Sequence, residues 1–270
     1  MTTPPTDDGL PARLRALAFI REGEAAVGRS WFRSLTRWLD RVRPGVVAGG
    51  RLDPGRVSDH NGYWTDQVNV EVLPSVRQVL GDAWARVRGQ GPERDVWVQG
   101  YLDDVGNRLV RLPDEVYALI VAEIEAGLRD GSDIPTVTAR VTEVLTATGS
   151  ERWPNRARTV ARTETIGAVN AGVFRAAQLD AQDRGDPAPF KVWLATDDSR
   201  TRHTHNEADG QRTLLDSPFQ VGAAQLLFPG DPRGPAGEVI NCRCTMLPVI
   251  LGDVLDWTDR QRPREGGSDA

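Results

Sequence analysis

Apolar residues recur at helical spacing along much of the first two thirds of the chain. Between residues 10 and 42 they fall three or four positions apart, which predicts a helix, with an interruption near Gly23 or Gly28. A second stretch of this kind runs from residue 63 to residue 87. Pro74 predicts a break or a kink in it, because proline lacks the amide hydrogen of a helix interior. The N-terminal part of the chain is therefore predicted to be helical.

The middle of the chain carries the clearest helix signals. One helix opens at Pro113, and the next is capped by Ser132 or Asp133. Asn155 is the predicted cap of a long third helix that runs to about Ala181. This helix is rich in alanine and glycine, so another element can approach its backbone closely.

After the long helix the helical spacing of apolar residues ends, and short alternating runs separated by loops follow. FKVWLA (Phe190–Ala195) alternates as a short strand does, and Glu238–Met246 is predicted as another strand. The predicted fold class is α+β, mostly α-helical in the N-terminal two-thirds, with a small β-containing, loop-rich C-terminal unit packed on the long helix. The predicted parts are a disordered lead (1–9), a helical N-terminal region (10–111), a region of helices (113–181) and a small β unit (186–250) that together span 112–250, and a flexible tail (251–270).

Composition narrows the function classes. The net charge of −5 argues against a generally basic nucleic-acid binder, and no apolar run is long enough to span a membrane. Two cysteines and the lack of a visible secretory signal favour a reducing compartment over a disulfide-stabilised secreted protein. Lys191 is the only lysine among 33 basic residues, a bias that a GC-rich genome explains.

The rarest side chains of the sequence fall in two short clusters. VINCRCTMLP holds both cysteines, Cys242 and Cys244, and DDSRTRHTHNEADG holds two of the three histidines, His203 and His205. If each segment is extended, the side chains at positions i and i+2 point to the same face. Two cysteines and two histidines then make a tetrahedral ligand set for zinc, provided that a bulge or a turn draws the paired side chains together.

Three interpretations of these clusters stay open. In the first, zinc is bound, with Asp198 or Asp231 as an alternative to His203. In the second, the cysteines are small core residues and His205 hydrogen-bonds a loop. In the third, the group is catalytic, with a cysteine nucleophile and a histidine base or with a metal-activated water. The sequence lacks the zinc-protease, nucleophile-elbow and phosphate-loop signatures that accompany such chemistry.

Four spaced motifs resemble those of the phage Mu F-like family of head morphogenesis (minor capsid) proteins. They are A-R-T-E with a later Asn, D-x-R-T-R-x-x-H with a later Gly, P-G-D, and N-C-R-C. The matching residues are Arg162, Glu164 and Asn170; Asp198, Arg200, Thr201, Arg202, His205 and Gly210; Pro229, Gly230 and Asp231; and Asn241, Cys242, Arg243 and Cys244. The resemblance covers residues 112–250.

The resemblance implies a minor capsid protein of a tailed phage or prophage. Such a protein would lie in the interior of the phage head, and in the host cytoplasm during assembly. Its implied partners are the portal protein, the major capsid and scaffold proteins and packaged DNA, with no membrane, and its implied role is procapsid assembly or DNA packaging and delivery. The alternative is a metal-dependent hydrolase or nuclease carried in the head.

Two charge patterns suggest further hypotheses. Glu164, paired with Arg200 or Arg202, would fix the β unit on the long helix. A locally basic stretch, Arg152, Arg156 and Arg158, would bind nucleic acid near the start of that helix, where backbone amides favour anions. The alternative for this stretch is a solvated face or ion pairs with the acidic N-terminal helices.

Overall fold

A computed structural model describes residues 12–92, 95–148, 150–196 and 198–255 of the chain. Helices dominate the first two thirds and short antiparallel strands follow, which confirms the predicted α+β class. The helices are α1 (Ala12–Val46), α2 (Asn61–Gln67), α3 (Leu73–Arg88), α4 (Val96–Leu109), α5 (Leu112–Arg129), α6 (Ile134–Val144), α7 (Arg152–Arg184), α8 (His203–Glu207) and α9 (Ala236–Val239). The strands are β1 (Val47–Ala48), β2 (Arg51–Leu52), β3 (Phe190–Leu194), β4 (Arg212–Leu214), β5 (Phe219–Val221), β6 (Ala224–Leu226), β7 (Thr245–Ile250) and β8 (Asp253–Val254).

The main sheet has the order β4-β3-β7-β8 with antiparallel pairing throughout. β1–β2 and β5–β6 are separate hairpins. The first residues of the predicted tail form β8, whereas the predicted lead (1–9) and the tail beyond Leu255 lie outside the described residues. Among the described residues, no helix combines the length and the apolar character needed to cross a bilayer.

Helix α7 lies at the centre of the fold. Every residue from Thr163 to Phe174 is buried, because α1 and α3 cover one side of the helix and the C-terminal unit covers another. The small residues of α7 allow the predicted close approach: a Cβ added at Gly172 would lie 2.4 Å from the carbonyl oxygen of Leu80 in α3. Only glycine fits at such a contact without moving one of the two backbones.

Gly23 and Gly28 of α1 also allow a close approach between helices. The predicted interruption at Gly23 or Gly28 is wrong, because α1 runs unbroken from Ala12 to Val46. A Cβ at Gly23 would lie 2.8 Å from Thr165 Cγ2, and a Cβ at Gly28 would lie 3.2 Å from Ala161 Cβ. Both glycines therefore let α7 pack closely against α1.

Helix starts are only partly as predicted. Asp133 caps α6 by accepting a hydrogen bond from the Thr136 amide at 2.9 Å. Asn155 does not cap α7, which begins three residues earlier at Arg152. The buried indole of Trp153 donates to the Val144 carbonyl at 2.8 Å, so packing fixes this helix start.

The irregularity predicted at Pro74 is a π-helical segment, Val68–Val72, that links α2 to α3. The strand predicted over Phe190–Ala195 is β3. The strand predicted over Glu238–Met246 is correct only from Thr245, because its first half forms the end of α9 and a turn. This turn carries both cysteines.

Lys191 lies on the buried face of β3 beside Trp193, and both side chains are inaccessible to solvent. Its ammonium donates to the carbonyl oxygens of Leu215 and Leu227 at 2.6 Å each and lies 4.6 Å from the centre of the Phe174 ring. Burial lowers the pKa of this lysine to about 7.

Candidate functional site

The imidazole of His205 meets both thiols. His205 Nδ1 lies 3.3 Å from Cys244 Sγ and 3.8 Å from Cys242 Sγ, and the three side chains expose at most 2% of their surface. The three candidate ligand atoms all lie within 4.8 Å of one another. The structure thus brings the two sequence clusters together at one point.

His205 and His203 both lie on α8, but only His205 faces the two cysteines. Successive helical residues are rotated by about 100°, so residues at i and i+2 face nearly opposite sides. His203 is accordingly 86% exposed, and its Nδ1 lies 3.3 Å from Glu207. The extended segment predicted here is wrong, and His203 does not join the cluster.

Neither aspartate considered as a further ligand joins the cluster. The Asp198 carboxylate forms a bidentate pair with Arg243, and the hydrogen bond from Arg243 holds the pKa of Asp198 well below its usual value. The Asp231 carboxylate binds the Arg233 guanidinium, whose Nε and one terminal nitrogen each lie 3.0 Å from a carboxylate oxygen. It also accepts hydrogen bonds from the backbone amides of Leu227 and Arg233. Both carboxylates stabilise loops.

Glu238 completes the surroundings of the histidine. Its Oε2 lies 3.0 Å from His205 Nε2 and accepts a second hydrogen bond from Thr204 Oγ1 at 2.9 Å. The Trp193 ring contacts the imidazole edge-on, with the ring centres 5.5 Å apart. The imidazole plane is therefore fixed on two sides. Sequence reasoning missed Glu238, because no motif spacing links it to His205.

The two thiols differ in electrostatics. A hydrogen bond from Cys242, followed by contact with His205, lowers the pKa of the Cys244 thiol. The pKa of Cys242 is raised, first by its hydrogen bond to Cys244 and then by burial. These opposite shifts make Cys244 the more acidic thiol of the pair.

The turn that carries the cysteines is held by α7, by the D-x-R-T-R segment and by Thr196 just before that segment. Asn241 adopts a left-handed φ of 59°, and its amide donates to Thr163 Oγ1 of α7 at 3.0 Å. The Arg202 guanidinium donates to the Ile240 carbonyl. Thr196 Oγ1 donates to the Arg243 carbonyl at 2.9 Å. The side chains of Thr163, Thr196 and Arg202 thus fix the backbone from residue 240 to residue 243.

Two other motif residues of this segment are turn formers. Thr201 Oγ1 donates to the Thr196 carbonyl, which closes the loop ahead of α8. Gly210 has a left-handed φ of 71°, and its amide donates to the Trp193 carbonyl at 2.9 Å. Both therefore help to position β3 next to the cluster.

Asn170 connects α7 to the C-terminal unit. Its buried Nδ2 lies 3.0 Å from the carbonyl oxygens of both Pro229 and Cys244, and its Oδ1 accepts the Met246 amide at 3.2 Å. The loop containing Pro229 also packs directly on the helix: a Cβ at Gly167 would lie 2.9 Å from the Gly230 carbonyl oxygen. The β unit is therefore packed on the long helix, as predicted.

Comparisons with known proteins agree with these motifs. Residues 119–247 match the family described as Phage Mu protein F like protein. This part of the chain belongs to that family. The Mu F-like region starts within α5, ends within β7 and includes the histidine–cysteine cluster. Membership supports a phage head morphogenesis protein.

Two curated relatives are similar to parts of this chain. One is "NAD(+)--arginine ADP-ribosyltransferase EFV" of Enterococcus faecalis (strain ATCC 700802 / V583), 30% identical over 148 residues, which are 55% of this chain and 29% of the relative. The other is "Uncharacterized protein YqbB" of Bacillus subtilis (strain 168), 29% identical over 111 residues, which are 40% of this chain and 35% of the relative. The chain spans about a third of the length of these relatives. No solved structure matches it significantly.

Glu164 of the Mu F-like region does not pair with Arg200 or Arg202. Its buried carboxylate accepts from Arg108 of α4 at 2.6 Å, and burial raises its pKa even though the arginine opposes the rise. Arg200 is mostly exposed and binds Asp198 instead. The Glu164–Arg108 ion pair therefore links α7 to α4, and the hypothesis that Glu164 fixes the β unit is wrong.

The basic residues at the start of α7, Arg152, Arg156 and Arg158, form ion pairs with glutamates. Each arginine of the stretch, and Arg162 after it, lies within 4 Å of a glutamate. The pairs are Arg152–Glu123 (3.8 Å), Arg156–Glu115 (2.8 Å), Arg158–Glu151 (3.6 Å) and Arg162–Glu24 (3.4 Å). This arrangement favours the alternative of ion pairs, three of them with α1 and α5, over a free surface for nucleic acid.

Proposed function

We propose that this protein is a minor capsid protein of a tailed phage or prophage head. It associates with the portal vertex from the head interior and acts in procapsid assembly or in DNA packaging and delivery. The observation that carries the proposal is the match of residues 119–247 to the Phage Mu F-like family, which supports head morphogenesis.

The bonding of the motif residues supports an assembly role. Asn170 and Asp198 hydrogen-bond to other motif segments, Arg202 binds the carbonyl of Ile240 directly before N-C-R-C, and Asp231 organises its own loop. The cavity beside the histidine–cysteine cluster is about 10 Å³, enough for about one water molecule and too small for a nucleotide or a sugar. The motifs therefore build a fixed unit that suits a structural component of the head.

The partners in this proposal are the portal protein, the major capsid and scaffold proteins and the packaged DNA. Large apolar side chains that face solvent on the outer helices are candidates for protein contacts. Leu128 at the end of α5 is 77% exposed, and Ile134 at the start of α6 is 67% exposed. These two residues lie close in sequence on either side of one short turn.

The test is photo-crosslinking in assembling heads. Lysine-directed reagents are unsuitable, because the single lysine is buried. A photoreactive amino acid at position 128 or 134, with a matched variant at exposed Val70 of the π-helical segment, should report the neighbours of each surface. Crosslinks from 128 or 134 to the portal protein support the proposal. Absence of the chain from purified heads, or crosslinks to the major capsid protein alone, contradicts portal association.

The alternative, a metal-dependent hydrolase or nuclease, is tested on the same purified protein. Turnover of DNA, RNA or cell-wall substrate that both chelation and Cys242→Ala abolish would favour the enzyme. The exposed His203→Ala variant is the matched control, because its side chain lies away from the cluster.

A further inference from the structure

We infer that His205, Cys242 and Cys244 bind one zinc ion, which joins the loop around α8 to the turn before β7. Glu238 orients the histidine, and a water molecule is the fourth ligand. The inference concerns the chemistry of this cluster and holds whether or not the protein acts at the portal vertex.

The distances fit tetrahedral zinc. Zn–S bonds of about 2.3 Å and Zn–N bonds of about 2.0–2.1 Å place a sulfur and a nitrogen of one tetrahedral site about 3.6 Å apart. The observed separations from His205 Nδ1 are 3.3 Å to Cys244 Sγ and 3.8 Å to Cys242 Sγ. An ion between the three atoms therefore needs only small side-chain movements.

The second nitrogen of the imidazole has the partner that a zinc ligand requires. Metal-binding histidines usually donate their other ring N–H to a carboxylate, which fixes the tautomer and the ring orientation. His205 Nε2 lies 3.0 Å from Glu238 Oε2, and Thr204 Oγ1 steadies the same carboxylate oxygen. With the proton on Nε2, the lone pair of Nδ1 points at the two sulfurs.

Packing alone explains this arrangement less well. A buried cysteine that fills space needs no polar neighbour, and one S–H···N contact would satisfy the imidazole. Here two sulfurs from one turn approach the same nitrogen atom, and all three side chains are almost fully buried. Convergence of three ligand atoms on one point is the feature that zinc accounts for.

The fourth ligand follows from the residues around the cluster. Among the described residues, no fourth His, Cys, Asp or Glu side chain lies in the group. The adjoining cavity of about 10 Å³, partly lined by Thr196, Thr201 and Asn241, admits one water molecule. The water would thus complete a site with two thiolates and one imidazole.

The test is the metal content of protein purified without chelators. We expect about one zinc per chain by elemental analysis, and less than a tenth of that in Cys242→Ser and His205→Ala. His203→Ala should keep the full content, because that side chain is exposed and paired with Glu207. Zinc well below one per chain in folded, zinc-supplemented wild type overturns the inference, as does equal loss in His203→Ala.

A second measurement covers the case in which the cysteine variants fail to fold. Wild-type protein stripped with a chelator and titrated with cobalt should develop thiolate-to-cobalt charge-transfer absorption at one equivalent. Glu238→Gln should still bind the metal, with affinity about 10–100-fold lower, as for other partners of metal-binding histidines. Cobalt binding without thiolate absorption, or unchanged affinity in Glu238→Gln, contradicts the assignment of these ligands and of Glu238.

Discussion

The side-chain amide of Asn170, midway along α7, lies 3.0 Å from the backbone carbonyl oxygen of Cys244. Cys244 is 74 residues away in sequence and carries one of the two thiols of the cluster. The same amide also donates to the Pro229 carbonyl, and its oxygen accepts a hydrogen bond from the amide of Met246, the second residue of β7. One buried side chain of the helix thus fixes two loops of the C-terminal unit at once.

Asn170→Ala should lower the free energy of unfolding by about 2–4 kcal/mol, because it leaves buried backbone groups at Pro229, Cys244 and Met246 without partners. Urea unfolding followed by tryptophan fluorescence measures the loss. Asn206→Ala, at an exposed position of α8, is the control and should stay within about 0.5 kcal/mol. Equal effects of the two variants would show that the buried amide contributes little.

Gly167→Ala should destabilise the protein by about 1–3 kcal/mol even though alanine favours helix, because the new Cβ would lie 2.9 Å from the Gly230 carbonyl oxygen and from Tyr101 Oη. The matched change Gly100→Ala in α4 meets no atom within 4 Å and should stabilise the protein by about 0.5–1 kcal/mol. Thermal unfolding of the two variants should therefore move in opposite directions. A stabilised Gly167→Ala would mean that the loop does not press on the helix.

Glu164→Gln should destabilise the protein by about 1–3 kcal/mol, since it removes the charge that compensates the largely buried Arg108 guanidinium. In a double-mutant cycle with Arg108→Met, measured by urea unfolding, the two changes should be strongly non-additive. A cycle of Glu164→Gln with Arg200→Met is the control and should be additive, because Arg200 binds Asp198 instead. Coupling of Glu164 with Arg200 and not with Arg108 would contradict the observed pairing.

The stability of the protein should rise with pH between about 7 and 9 through Lys191. The pKa of this side chain is about 7 in the folded protein and has its ordinary value of 10.5 in the unfolded chain. Between these values the unfolded chain holds a proton that the folded protein has released, so the free energy of unfolding increases by up to about 1.4 kcal/mol per pH unit. Urea unfolding across this range measures the slope.

Lys191→Met isolates the contribution of the lysine, because cysteines and other groups titrate alike in both proteins. Its stability should rise less steeply from pH 7 to pH 9 than that of the wild type. Asp216 and Asp231 oppose the lowered pKa and limit the difference. Parallel pH profiles would mean that the ammonium stays charged when buried.

The meeting of His205 with the cysteine pair could be predicted from the sequence, because rare residue types fell in two short motifs. Helix periodicity likewise located α5 and α6, and Asp133 gave a correct cap. These features depend on residues that are near neighbours or are chemically distinctive. Local pattern is sufficient for them.

Other features depend on partners that no local pattern encodes. α8 has five residues, too few for a periodic signal, so the sequence pattern predicts His203 beside His205, whereas the His203 side chain faces solvent. Glu164 pairs with Arg108, 56 residues away and outside every motif. In β3 the alternation was visible, but the buried face holds a lysine, which only nearby carbonyls and an aromatic ring make tolerable.

The close contacts of α7 with α1 and α3 have a consequence for any attempt to excise the Mu F-like region. Gly23 and Gly28 of α1 and Leu80 of α3 lie against α7, and all three residues precede the family match at 119–247. A fragment that starts at residue 112 would present the small, apolar side of its longest helix to water. The N-terminal helices of this chain thus cover part of the Mu F-like region, and truncated versions should be prone to self-association.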